Sequence, residues 1–578
     1  MQCLVNEIVN MNKKIFLTFL LLLQTAPALA RTYDLEIKKQ DVFITGKAVK
    51  AITVNGQIPA PTLNFEEGED AIINVKNSMD EMTSIHWHGI LLPAAMDGVP
   101  GLNGFHGIAP GETFTYKFKI RQSGTYWYHS HSNMQEQQGL YGSIVIQPKQ
   151  ADSYKADREY VVVLSDFTEE NPQTILNNLK INSGYYNYHK RTFFTFLHDI
   201  KSKGFAESWR DYRDWNEMRM DPTDLSDVTK YHFLVNGKMN YAPSSSRNLS
   251  ASQRNATTSS LNREEESSLS NYFLFKKGER VKLRFINASA MTIYDVEIPG
   301  LKMKVIEADG QPVKPVSIDE FRFGNAETYD VIVEPQENKA YTISAQSIDR
   351  TGSAIATLAP KMGMSGAIPP MRQRTLLTMG DMSMEDMNMK DMDMENMHSG
   401  WADRGTPQDH KALEYSDLIA LNPQQDLREP TREIELHLDG NMNRYIWTIN
   451  GKQFPKPIHL KYGERVRLKF INDTMMAHPI HLHGMFMELE NYPPSSSRNF
   501  SDTQRNATTS SLNREDDLTH NEQMKWLPNK HTIIIPPAQT VSAILTANEA
   551  GEWAFHCHLL YHMESGMMTS ITVEKTSE

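Results

Sequence analysis

The segments VNGK (235–238) and KGERVKLRFIN (277–287) have two counterparts in the chain: VNGQ (54–57) with EGEDAIINVKN (67–77), and INGK (449–452) with YGERVRLKFIN (462–472). Each copy reads as an Asn-Gly turn, a Gly-Glu turn and then a strand. In VKLRF and VRLKF apolar and charged residues alternate with period two, which predicts strands with one buried and one solvated face. Self-similarity on this scale predicts three homologous β domains. Gly56 to Gly68 and Gly451 to Gly463 each span 12 residues, whereas Gly237 to Gly278 spans 41, so the middle copy carries about 29 extra residues.

That excess has a visible source. PSSSRNLSASQRNATTSSLNRE (243–264) recurs as PSSSRNFSDTQRNATTSSLNRE (494–515), differing at three positions. Its Ser, Asn, Thr and Arg content cannot fill a core, so each copy is expected to be a disordered insertion with no chemical role. The 578 residues allow several domains with sizeable cores. With 59 basic against 71 acidic residues, the formal charge of −12 argues against a nucleic-acid partner and favours cations.

Lys13 and Lys14, the run IFLTFLLLL (15–23) and Ala28-Leu29-Ala30 follow the order of a secretory signal, and the run is too short to span a membrane. Cleavage near Ala30 removes Cys3 and leaves Cys557 as the one cysteine of an exported chain. Such a thiol is inert, intermolecularly bridged or bound to metal.

Four histidine clusters bear on that choice: HWHG (His86, His88), HSH (His129, His131), HPIHLHG (His478, His481, His483) and HCHLLYHMESGM (His556 to Met567). Residues i and i+2 of a strand share a face, so each His-x-His sets two imidazoles side by side. One such pair is commonly structural, but four, placed in the first and last domains without compensating acids, point to metal. Gapless alignment of GTYWYHSH (124–131) with GEWAFHCH (551–558) keeps the flanking histidines. It also sets Ser130 opposite Cys557, Gln135 opposite His562 and Leu140 opposite Met567. The last domain therefore gains a site. Two histidines, a thiolate and a weak thioether make a blue-copper set, here His478, Cys557, His562 and Met567. The middle domain has none of these motifs and is expected to be a spacer.

The four motifs resemble those of the multicopper oxidases, in particular their periplasmic copper-resistance branch, over nearly the whole chain outside the two insertions. The resemblance implies an all-β chain of three cupredoxin-like sandwiches and four copper ions, one type 1, one type 2 and two type 3. It places type 2 copper on His86 and His481. The type 3 pair falls on His88, His129, His131, His483, His556 and His558. Within HCH, Cys557 would hold the substrate-side copper while its two neighbours hold cluster coppers, giving electrons a short covalent route. The implied reaction takes single electrons from Cu(I) or a small organic donor and reduces dioxygen to water. Asp97 and Glu564 are candidate proton-relay acids. The bland alternative for each is a turn cap, and where related oxidases carry an acid directly after the blue-copper histidine this chain has Met563.

Between the second and third domains, MGDMSMEDMNMKDMDMENM (379–397) spaces methionines three then two apart. No helix or strand face has that period. Met379, Met382, Met384, Met387, Met389, Met392, Met394 and Met397 offer soft thioethers among carboxylates, which suits Cu(I); the plainer reading is an acidic linker. The expected order is a signal at 1–30, domains at 31–150 and 151–360 (insertion near 243–271), a Met-rich linker at 361–428 and a domain at 429–578 (insertion near 493–523). The function expected is Cu(I) oxidation for copper tolerance by a monomeric periplasmic enzyme without a membrane span. A laccase-like oxidase of organic donors and a copper-sequestering protein are the competing readings.

Overall fold

A computed structural model describes residues 30–150, 154–187, 193–217, 224–239, 271–377, 381, 400–441, 444–490 and 523–575. The three Asn-Gly pairs all adopt left-handed backbone, with φ of 50° and 77° at Asn55-Gly56, 46° and 74° at Asn236-Gly237, and 52° and 68° at Asn450-Gly451. Positive φ at both central residues gives the two-residue turn whose twist matches its flanking strands, and Asn followed by Gly tolerates it best.

The strands that follow, Asp70–Asn77, Val281–Asn287 and Arg465–Asn472, each run parallel to the opening strand of their own repeat, Arg31–Phe43, Arg158–Phe167 and Arg432–Asn441. All three end on a buried asparagine that does the same work. Nδ2 of Asn77 donates to the carbonyls of Glu81 and Ile108, that of Asn287 to Thr292 and Phe323, and that of Asn472 to Met476 and Ile535. The repeated sequence thus encodes a repeated tie between the sheet and the loop beyond it.

Among the described residues six sheets, two per repeat, build three cupredoxin-type sandwiches around buried apolar faces. The expected alternation of burial holds for Asp70–Asn77 and Arg465–Asn472 but not for Val281–Asn287, which is buried along both faces. The first domain covers the missing face. Arg284 donates to Thr125 Oγ1 at 2.9 Å and is paired with Asp330 at 2.5 Å and Glu159 at 2.7 Å, so the charge that signals a wet face is neutralised inside an interface.

Three helices, Pro172–Ile181, Phe193–Lys203 and Phe205–Glu217, interrupt the second domain before strand His232–Val235. Within the stretch expected to link domains two and three, Ala412–Leu413 pairs with Glu320–Phe323 and extends a sheet of the second domain. No helix among the described residues is long and apolar enough to cross a membrane. Both Ser/Arg/Asn repeats and all eight methionines from Met379 to Met397 lie outside the described residues.

Candidate metal centre

Strand His478–Leu482 and strand Gly551–Cys557 are antiparallel neighbours, and the short helix Leu560–Glu564 returns His562 to their end. Cys557 Sγ lies 3.7 Å from His478 Nδ1 and 3.8 Å from His562 Nδ1, with the two nitrogens 3.1 Å apart. The backbone of buried Met567 closes the loop, its N–H donating to His562 O and its carbonyl accepting from Cys557 N, each at 3.0 Å. Outer partners hold both rings. His478 Nε2 meets Thr474 Oγ1 at 2.8 Å, His562 Nε2 donates to Asp227 Oδ2 at 2.6 Å, and Trp447 stacks on His562 at 3.9 Å.

The remaining eight histidines converge where the first and third domains meet. Strand His86–His88 pairs with Gly124–His129, and Ile480 to Leu482 pair with Cys557 to Phe555. One group joins His88, His129 and His558, and another joins His131, His483 and His556, each with donor atoms within 4.8 Å of one another. His86 and His481 each stack at 3.7 Å on a member of these groups, His483 and His88 respectively. Burial, reinforced by neighbouring imidazoles, holds His88, His129, His131, His481, His483 and His558 well below the ordinary histidine range. His556 is pushed down by burial to about 3.

The unsatisfied atoms show what the site fits. Nδ1 of His86, His129, His481 and His556 meets a backbone carbonyl, while Nε2 of His86, His129, His481 and His558 and both ring nitrogens of His88 are buried without a protein partner. A buried nitrogen left unpaired costs about 1–3 kcal/mol, so a cluster of them fits a ligand that binds neutral imidazoles, as copper does.

The first domain carries the counterpart of the cysteine site, filled with hydrogen bonds in place of donors. Ser130 Oγ and Thr83 Oγ1 both donate to Gln135 Oε1, at 2.9 and 2.7 Å. The closing backbone bonds recur, Leu140 N to Gln135 O at 3.2 Å and Ser130 N to Leu140 O at 3.0 Å. The alignment had set Ser130, Gln135 and Leu140 opposite Cys557, His562 and Met567, and the structure adds Thr83, three residues before His86 as His478 is before His481.

Of the two candidate acids, Asp97 is at the cluster. Its Oδ2 accepts from His483 Nδ1 at 2.9 Å and its Oδ1 lies 3.3 Å from His86 Nδ1. Glu564 instead lines a cleft of about 570 Å³ with His131, Ser132, Met134 and Pro172, and burial raises its carboxyl pKa. Three residues at the centre escaped the sequence reading. Glu136 sits 3.0 Å from His129 Nδ1, its pKa raised by burial; Asp227 holds His562; and His531 lies with His88 and His481. Gly89, at φ +79°, leaves room for it, since a Cβ there would stand 2.6 Å from His531 Cδ2. Each is isolated in sequence from the histidine motifs or lacks their spacing. Asp227 also corrects the spacer reading of the middle domain, which orients one of the candidate imidazole donors.

This architecture and donor set define the multicopper oxidases, whose family profiles match residues 36–151, 206–361 and 427–577. The chain belongs to that family and is a copper-dependent oxidoreductase. It is 42% identical to copper resistance protein A of Escherichia coli, covering 94% of this chain and 92% of that protein. Identity to the copper resistance protein A homolog of Pseudomonas syringae pv. tomato is also 42%, with the same coverage. Among solved structures it is similar in fold to Fet3p, a multicopper oxidase that functions in iron import (TM-score 0.64, 18% identity, 94% of this chain and 91% of that one). The laccase from Botrytis aclada gives 0.63 at 20% identity, over 95% and 88%. Its place among them is with the copper-resistance multicopper oxidases.

Proposed function

We propose that the chain oxidises Cu(I) to Cu(II) and passes the electrons to dioxygen: four Cu(I), one O2 and four protons give four Cu(II) and two waters. The observation that carries this reading is the continuity of His556, Cys557 and His558, which places a thiolate donor set and a polyhistidine donor set on three consecutive residues. His478, Cys557, His562 and Met567 would hold type 1 copper, His86 and His481 type 2, and the two three-histidine groups type 3. Copper in these positions supplies one-electron storage, four electrons in all.

The chain's own groups account for the rest. Asp227 bonds the outward nitrogen of His562, giving incoming electrons a path from outside the thiolate set. Asp97 fixes His483 and His86. The cleft bearing Glu564 reaches half-buried His131 and would admit dioxygen and protons.

Support for a metal-ion donor comes from where the methionine segment is rooted. Arg374, five residues before Met379, is ion-paired with Asp224, three residues before Asp227. Asp381, inside the segment, accepts from the N–H groups of Gly400 and Trp401 at 2.8 and 3.2 Å. The chain thus enters the methionine segment from a residue paired three positions before Asp227, the partner of His562. The first strand begins at Arg31, directly after the expected cleavage position, which fits export to the periplasm. Oxygen uptake by the copper-loaded protein should be driven faster by Cu(I) than by a phenol; uptake with phenol alone would defeat this reading.

A further inference from the structure

A turn of the middle domain reaches toward the polyhistidine centre. Asp309 and Gly310 join strands Met303–Ala308 and Gln311–Ile318 with φ of 50° and 68°. The turn is wedged against the first domain: Tyr126 Oη donates to Gly310 O at 3.2 Å, and a Cβ on Gly310 would stand 2.2 Å from the Tyr126 ring. Asp309 is fully buried. Its Oδ1 accepts from Thr328 N at 3.0 Å, and its Oδ2 accepts from the N–H groups of His531 and Thr532, both at 3.1 Å, in the third domain. Lys530 Nζ, also buried, lies 3.1 Å from Asp309 and 2.9 Å from Glu327 and is shared between the two acids.

The peptide held in this way is the one that orients His481. His481 Nδ1–H donates to His531 O at 2.7 Å, and Thr532 Oγ1 stands 3.2 Å from the same nitrogen. A carbonyl can only accept, so this contact places the proton on Nδ1 and leaves Nε2 free to bind metal, and Nε2 is buried without a protein partner.

We infer that Asp309 is a positioning residue for copper at His481, acting from the middle domain through the His531–Thr532 peptide; this rests on the proposed type 2 role of His481. Outer partners of metal-binding histidines typically change affinity about 10–100-fold when removed.

The test uses the copper-loaded full chain and compares Asp309→Asn with Glu327→Gln, which disturbs the same Lys530 without touching the peptide. The type 2 electron paramagnetic resonance signal is measured relative to the blue absorption. Asp309→Asn should lower type 2 occupancy about 10–100-fold in affinity and keep the blue absorption, while Glu327→Gln keeps both. Equal loss in the two variants, or a full type 2 signal in Asp309→Asn, overturns the proposal. If Asp309→Asn yields no blue protein, Asp309→Ser, which also withdraws the carboxylate from the two N–H groups, takes its place, and an unchanged type 2 signal there overturns it. Absence of a type 2 signal from the unsubstituted chain would defeat the His481 assignment, and this proposal with it.

Discussion

Asp227 of the second domain accepts a 2.6 Å hydrogen bond from Nε2 of His562 in the third, while Tyr445 Oη donates to the same carboxylate at 2.7 Å. His562 is completely buried and Asp227 is nearly so, and the carboxylate fixes the ring nitrogen that faces away from Cys557. Asp227→Ala should slow Cu(I) oxidation about 10–100-fold and leave the blue absorption in place, because Cys557 and both histidines remain. Stopped-flow reduction of the blue site by Cu(I) measures this directly. An unchanged rate would move the donor's route elsewhere.

Cys557 tests the centre itself. Cys557→Ser should abolish the intense blue absorption and turnover while copper bound by the polyhistidine groups persists, since only the thiolate is removed. Met567→Leu should keep the colour and shift the reduction potential, because an axial ligand tunes the site without being its main bond. Blue colour in the serine variant would remove Cys557 from the assignment.

Asp97 separates positioning from proton transfer. Asp97→Ala removes the acceptor for His483 Nδ1 and should weaken cluster copper binding about 10–100-fold with the blue absorption intact. Asp97→Asn keeps an acceptor but cannot carry a proton. Restored copper content with normal oxygen reduction in that variant would show the residue to be a positioner only; restored copper with slow reduction would assign it a proton.

Copper-free protein should be acid-labile above the usual carboxylate range. Unfolded imidazoles titrate near 6.5, while burial holds His88, His129, His131, His478, His481, His483, His556 and His558 below that value in the fold. Between the two values the unfolded chain binds more protons. Stability is therefore complete above about pH 6.5 and falls as pH drops, by about 1.4 kcal/mol per pH unit for each histidine that stays neutral. Melting temperatures of the copper-free chain from pH 7.5 to 5.5 should fall steeply, and copper loading should shift the loss to lower pH. A flat profile without copper would contradict the burial of these rings.

The candidate donors could be picked out of the sequence because their spacing is local. His-x-His in a strand and the HCH run fix adjacency by backbone geometry alone, and comparison of the two domain ends isolated Cys557, His562 and Met567. Partners brought in by tertiary contact were not legible. Asp227 lies 335 positions from His562, and Asp309 lies 222 from His531. Each is an unremarked acid in its own strand or loop, visible only once the second domain is docked. Docking also explains why Arg284, a charged residue in an alternating strand, is buried, since Thr125 of the first domain covers it.

The methionine segment supplies the sharpest test of substrate. Its flanks are fixed, by Arg374 on Asp224 and by Asp381 on Gly400 and Trp401, so deleting residues 382–397 and bridging the gap with a short Gly/Ser linker should leave the fold and the blue absorption unchanged. If the thioethers recruit Cu(I), the deletion should raise KM for Cu(I) and reduce copper tolerance in cells, because soft ligands and acids raise the local concentration of the reduced ion. Oxidation of a phenol should hold or improve, since a bulky donor gains access that a metal ion never lacked. The two activities must therefore move apart. Parallel loss would make the segment a part of domain docking, and no change in either would reduce it to a linker.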